Sequence, residues 1–229
     1  LLATRYSQLA TPNPQPTSPC MQHPASCRAV VCALAMQCAM EQFKTVALPG
    51  GETASLAVKA AIASGPARRF LIGDKSIQFI DALAGETLVR MVAAEHLANR
   101  GDVIVDAQTV RALGHQLQIK EWRTAEESGE AFAVVQDIIL PDQPIETFEG
   151  EVLQALPDAT VKSWLLPDVY EDLSAGVGES LEMRRGVVAL FLRFQGIDYD
   201  GDEEAGEKLD RYIRWVQQTI TRYDGCLLY

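Results

Sequence analysis

A chain of 229 residues that is 48% hydrophobic and 22% charged can bury one or two cores, which excludes disorder along its whole length. Its formal net charge of -11 repels phosphate backbones and anionic lipid surfaces, so neither nucleic acid nor membrane is expected as a partner. The longest apolar runs, Val187 to Leu192 among them, fall far short of the roughly 20 residues that a membrane-spanning helix needs.

Leu1-Leu2-Ala3-Thr4 has neither an initiator methionine nor the basic lead of a signal peptide, and truncation is the expectation. Pro12, Pro14, Pro16, Pro19 and Pro24 lie among small polar residues, and proline removes backbone donors, so residues 1–25 are predicted as a loop or disordered leader. Cys20, Cys27, Cys32 and Cys38 match no common zinc spacing, and with Cys226 they are expected to be reduced thiols in a cytoplasmic protein.

Val30, Val31, Leu34, Ala35, Cys38 and Phe43 recur at helical spacing, which predicts a buried-face helix over 26–43 capped by Ser26. A turn at Leu48-Pro49-Gly50-Gly51 precedes a strand with Leu56, Val58, Ala60 and Ile62 in alternation, then a second strand over Arg69 to Ile72. Gly65 and Gly73 flank this stretch without the Gly-Lys-Ser/Thr ending of a phosphate loop or the spacing of a dinucleotide site, so a hairpin is expected there.

Leu88, Met91, Val92 and Leu97 predict a helix over 85–98, stopped at Asn99-Arg100-Gly101 and followed by a buried strand over Asp102 to Val105. Asp106 is placed to cap a short helix ending near Gly114, and two strands over Gln116–Thr124 and Ala131–Ile138 flank an acidic turn. The first domain-like part is therefore 26–139.

Four prolines between Pro141 and Pro167 and weak periodicity make 140–185 an interdomain connector, with one possible short helix near Phe148 to Ala155. Val187 to Leu192 has the length and composition of a central strand covered on both faces, which opens a second part over 186–229. An acidic loop over Asp198 to Glu204 leads to a helix near Glu207–Tyr223 striped by Leu209, Tyr212, Ile213, Val216 and Ile220. Asp224-Gly225 then turns into a strand begun at Cys226.

The second part resembles the opening of the class III adenylate/guanylate cyclase domain, where a strand ending in Phe-x-Asp-x-x-Gly-Phe precedes a long helix and a Gly turn. Leu190-Phe191-Leu192-Arg193-Phe194-Gln195-Gly196-Ile197 is the matching stretch. The first part resembles the other half of such a domain, through Cys32-Ala33-Leu34-Ala35-Met36-Gln37, Ala61-Ile62-Ala63-Ser64-Gly65, Gly73 and Gly85-Glu86-Thr87-Leu88-Val89.

The resemblance implies an α+β, ferredoxin-like fold, an antiparallel sheet with helices on one face, present as two partial domains. It also implies departures at the functional positions. Arg193 stands where the family has its metal-binding aspartate, and a guanidinium has no lone pair for magnesium or manganese. Val89 and Ala93 stand where the family's asparagine and arginine hold the ribose and the transition-state phosphate. Asp81 lies near the base-recognising position, one residue out of register.

No metal site and no cofactor are therefore expected for this chain. The resemblance implies a parent that converts ATP, or less readily GTP, to cyclic nucleotide and pyrophosphate, with its cyclase-like domains paired head to tail. The chain itself is expected to be catalytically incompetent. Two other readings stay open: a degenerate regulatory or nucleotide-binding module attached to a downstream ATPase or signalling effector, and a ligand-free dimerisation scaffold.

Other features have plainer readings. Asp198, Asp200, Asp202, Glu203 and Glu204 lack the twelfth-position glutamate of a calcium loop, where Leu209 stands, so a solvated acidic loop is expected. His23, His96 and His115 show no paired spacing, and Lys208, Arg211, Arg214 and Arg222 alternate with acids on a solvated helix face.

Overall fold

The computed structural model describes residues 19–48, 50–140, 156–176 and 188–228. In chain order its helices and strands begin with α1 (Pro19–Gln22), α2 (Pro24–Met40), β1 (Val46–Ala47), β2 (Thr53–Ala54), β3 (Ala60–Ile62), β4 (Arg68–Ile72) and β5 (Ile80–Ala84). They continue with α3 (Glu86–Leu97), β6 (Val103–Asp106), α4 (Ala107–Leu113), β7 (Leu117–Thr124), β8 (Ala131–Ile138), α5 (Asp158–Lys162), α6 (Pro167–Ser174) and α7 (Ala205–Thr221). Among the described residues no helix is long and apolar enough to cross a membrane. The chain forms two compact units, the first from residues 1–66 with 87–149 and the second from 67–86 with 150–229.

The first unit is built on a four-stranded sheet in the order β3-β6-β8-β7, with β6 parallel to β3 and antiparallel to β8, and β8 antiparallel to β7. Every residue of β6 is buried, as its unbroken run of branched side chains requires. The two-residue pleat splits that run. Val103 and Val105 join Ala133 and Val135 of β8 in a cluster with Cys27, Val30 and Ala33 of α2 and Leu113 of α4. Ile104 faces the other way, with Phe132, Val134 and Ala94 of α3. The α+β reading holds, with two differences from the expected layout: the sheet is mixed, and helices cover both faces.

Several elements differ from the expectations in instructive ways. The leader predicted over 1–25 contains α1 and the start of α2. Pro24 opens α2 because proline's fixed φ suits the first helical turn, where its missing N–H is unneeded. Ser26 is not the cap: His23 precedes the helix, and Ser26 Oγ hydrogen-bonds Ser64 Oγ at 2.9 Å. Phe43 is exposed, beyond the buried part of that face. Cys20 and Cys27 form a disulfide within the core, which corrects the all-thiol reading, while Cys32, Cys38 and Cys226 are free.

Only Ala60–Ile62 of the strand predicted from Leu56 is paired, and its partner is β6, not β4. In α3 the buried positions are Thr87, Arg90 and Ala94 rather than the apolar stripe, and Val92 is exposed. The connector over 140–185 contains α5 and α6, whereas the possible helix near 148–155 lies outside the described residues.

The second unit packs the β4–β5 hairpin against α7. Phe70, Ile72 and Ile80 meet Ala205 and Leu209, with Ile213 and Leu227 partly buried beside them. β5 had no counterpart among the predicted strands. Gly73 begins the hairpin turn at φ +104, and a Cβ there would lie 2.5 Å from Gln78 O, so only glycine fits. The long helix follows its predicted stripe, with Leu209 and Val216 buried. The apolar run at 188–192 forms no strand: Val188 is 99% exposed and Phe191 90%. Composition prepares a segment for a sheet, but a strand exists only where another strand takes up its backbone groups. Residues 226–228 are likewise irregular.

The sheet core is expected to dominate the stability of the first unit. Phe132→Ala, at 1% exposure, should cost about 3–5 kcal/mol in urea unfolding. Leu83→Ala, on the outward face of β5 at 58% exposure, should change stability by no more than about 0.5 kcal/mol. Equal losses would contradict this account of the layers.

Candidate functional site

The four positions singled out by register fall in both units. Val89 and Ala93 lie one turn apart on α3 in the first unit, and Asp81 and Arg193 belong to the second. Val89 is 61% exposed, whereas the Ala93 methyl packs against the cluster formed by Ala94, Ile104 and Phe132. Neither side chain offers a donor or an acceptor.

Asp81 is engaged by its own hairpin. Arg69, diagonally across from it, donates from Nε to both carboxylate oxygens at 2.8 and 3.0 Å and from Nη2 at 2.5 Å. This forked hydrogen bond holds the Asp81 carboxyl below its ordinary range and the Arg69 guanidinium above its own. Both groups lie at the surface, so the pair shapes the hairpin face more than it stabilises the fold. Arg193 is exposed on an irregular stretch.

The most densely built polar site is one that periodicity did not disclose. Arg90 turns inward from α3 and donates from Nε to Asp106 Oδ2 at 2.9 Å, with side-chain exposures of 10% and 1%. Its Nη2 donates to Ser64 O at 3.0 Å. Asp106 Oδ1 accepts from Thr109 N at 2.8 Å, which is the predicted cap of α4, and also from Thr109 Oγ1 and Ser64 N. A small cavity beside the pair is lined by Gln108, Arg111 and Glu130. The overlooked signal was an arginine at the same helical phase as Ala94, on the face that meets β6.

A second network joins the β4–β5 turn to α7. Gly73 N donates to Asp210 Oδ1 and Asp74 N to Gln217 Oε1, at 2.8 and 2.7 Å. Asp74 Oδ1 accepts from Ser76 Oγ and Ser76 N, and its Oδ2 from Gln218 Nε2. The Ser76 hydroxyl is the largest influence lowering the Asp74 pKa to about 2.

The acidic loop is held by its own contacts. Asp198 Oδ1 accepts from the N–H groups of Asp200 and Gly201, Asp200 accepts from Glu86 N, and Asp202 pairs with Lys208. Among the described residues no group of three or more His, Cys, Asp or Glu side chains is arranged to hold a metal ion. Arg214 pairs with Asp210 on the solvated face of α7, as charge alternation there suggests.

No family model matches the chain, and no curated protein does. Among solved structures, parts of it are similar to the guanylyl cyclase Cya2, at 17% identity and a TM-score of 0.40, covering 60% of this chain and 68% of that one. A second is the guanylate cyclase domain of RhGC from Catenaria anguillulae in complex with GTP, at 18% identity, a TM-score of 0.38, and coverage of 60% and 77%. A third is the catalytic core of a rhodopsin-guanylyl cyclase with converted specificity in complex with ATPalphaS, at 19%, 0.38, and 59% and 75%. Overlaps this loose carry nothing about chemistry from those proteins to this one.

Two measurements follow from the networks. Arg90→Met strands a buried carboxylate and should cost about 3–5 kcal/mol in urea unfolding, with partial recovery in the double variant R90M/D106N; additive losses would refute the pairing. At Asp74 the folded carboxyl stays ionised to about pH 2 against 3.8 ordinarily, so its stabilisation is full above that ordinary value and fades as pH falls toward the folded one. Carboxyl-carbon NMR should give a midpoint near the lower value, moved upward in Ser76→Ala; a midpoint near 3.8 would remove the network's electrostatic role.

Proposed function

We propose that the chain is a segment of a class III nucleotide cyclase-like protein in which the ring-closing groups have been lost, so that this segment serves as a non-catalytic module. The parent would convert ATP, or less readily GTP, to the cyclic nucleotide and pyrophosphate, through head-to-tail pairing of cyclase-like domains. The order of degenerate motifs supports the family, and the side chains at the motif positions support the loss of chemistry.

The observation that carries the reading is on α3. At the position of the family's asparagine, Val89 presents a hydrocarbon to water, and at that of the arginine Ala93 presents a methyl to the core. Neither orients a ribose or neutralises charge developing on a phosphate. Magnesium or manganese would supply a Lewis acid and an activated hydroxyl in a competent relative, but Arg193 in the ligand position offers only N–H donors and a permanent positive charge. The residues present do not fit the metal. Asp81, with both oxygens held by Arg69, would have to leave that pair to read a base edge.

Incubating the 229-residue chain with ATP and manganese, then with magnesium, should yield no cyclic AMP above a protein-free blank. Product that rises with enzyme concentration and vanishes on addition of chelator would overturn the proposal.

A further inference from the structure

α1 depends on its surroundings for its shape. It has four residues, and isolated helices shorter than about 12–15 residues are marginal in water. Among the described residues, two bonds besides the chain itself tie it to the first unit. The Cys20–Cys27 disulfide joins it to α2, and Cys20 N donates to Gln116 Oε1 at 2.6 Å. A ring closed over a sequence separation of 7 restrains little of the unfolded chain, so the disulfide acts chiefly on this local attachment.

Gln116 carries the attachment further. The residue is buried, and its side-chain amide is used at both ends, Oε1 by Cys20 N and Nε2 in donating to Ile139 O at 3.1 Å. Its backbone oxygen accepts from Ile139 N at 2.8 Å. Ile139 directly follows β8 and leads to Leu140, which packs against the cluster that holds both cysteines. When α1 leaves, the Gln116 amide oxygen loses its partner. A buried acceptor left unanswered is costly, so the side chain turns or water enters, and either change disturbs its bond to Ile139.

We propose that the Cys20–Cys27 disulfide is a redox-controlled clasp. Intact, it holds α1 on Gln116 and so fixes the chain where it leaves β8 at Ile139; reduced by a dithiol, it releases α1, and the exit from β8 loosens with it. Both sulfurs are buried, so the reductant reaches them when α1 frays, the opening of least cost for so short a helix. One thiolate of the reductant attacks a sulfur, the Cys20–Cys27 bond breaks, and the displaced thiolate takes up a proton. The second thiol of the reductant then displaces the other cysteine, leaving two cysteine thiols and the reductant as its disulfide. The proposal is independent of the cyclase reading, because neither cysteine nor Gln116 is one of the four positions assigned by register.

The test compares the 229-residue chain before and after dithiothreitol, by iodoacetamide labelling and by amide hydrogen exchange. Before reduction Cys32 and Cys226, both exposed free thiols, should take the label, while Cys20 and Cys27 should not; after reduction these two should take it as well. Reduction should speed exchange at Cys20 N and Ile139 N by about tenfold and leave the buried amides of β6 unchanged, as a local opening requires. Gln116→Met separates the two halves of the clasp: Ile139 N should exchange fast with or without reductant, while Cys20 still takes the label only after reduction. The wild-type comparison stands by itself if that variant does not fold. Labelling of Cys20 and Cys27 in the unreduced chain, unchanged exchange at Ile139 after reduction, equal loosening of β6, or an Ile139 response that persists in Q116M would each overturn the clasp.

Discussion

A carboxylate taken out of water must have its lone pairs answered from within the protein, and in the first unit Asp106 organises its neighbours around that requirement. It ends β6, caps α4 through Thr109, receives Ser64 N from the chain beyond β3, and holds the Arg90 guanidinium of α3. Three of these contacts are to neutral donors and one is to a charge, so the ion is both hydrogen-bonded and compensated. Such a pair adds little net stability over apolar packing of equal volume, but breaking it is costly. Its structural consequence is rotational. With Arg90 drawn inward, Thr87 and Ala94 face the sheet and Val89 faces water.

That rotation explains why α3 was the least legible helix although its boundaries were clear. Hydrophobic spacing selects Leu88, Met91 and Val92 as the inner face, and it has no means of weighing an arginine whose partner lies sixteen residues away. Elements whose logic is local were readable: β6 from its branched run, α4 from the Asp106 cap, β7 and β8 from the acidic turn between them, and α7 from its stripe. β5 was missed because Ile80-Asp81-Ala82-Leu83-Ala84 has little intrinsic strand preference and is held by pairing with β4. The run at 188–192 failed in the opposite direction, since strand-like composition found no partner among the described strands. Proline counting over the first residues missed that Pro24 is favourable at a helix start. A compartment argument about thiols could not see that the break between α1 and α2 brings Cys20 and Cys27 within a Cα separation of 5.2 Å.

The candidate site shows the same division between local and non-local information. Motif order singled out Val89, Ala93, Asp81 and Arg193, but could not give what each side chain touches. Asp81 is the clearest case. As a lone acidic residue it suggested base recognition, while in the hairpin it answers Arg69 across the strands. The Gln217, Gln78 and Asp74 connections span more than a hundred residues, beyond the reach of any spacing rule.

Positions 89 and 93 on α3 differ physically, and the difference bears on the proposed loss of chemistry. Position 93 faces the cluster of Ala94, Ile104 and Phe132, where a methyl fits and an arginine would have to extend its stem along the helix to reach water. Small size there is consistent with packing alone. Position 89 carries no such demand, because a side chain 61% exposed has room for an asparagine at no cost to the core. A hydrocarbon at that exposed position gains little for stability and offers neither a donor nor an acceptor. Packing therefore accounts for Ala93 but not for Val89, and of the two it is Val89 that bears more directly on the proposed loss of ribose-holding chemistry.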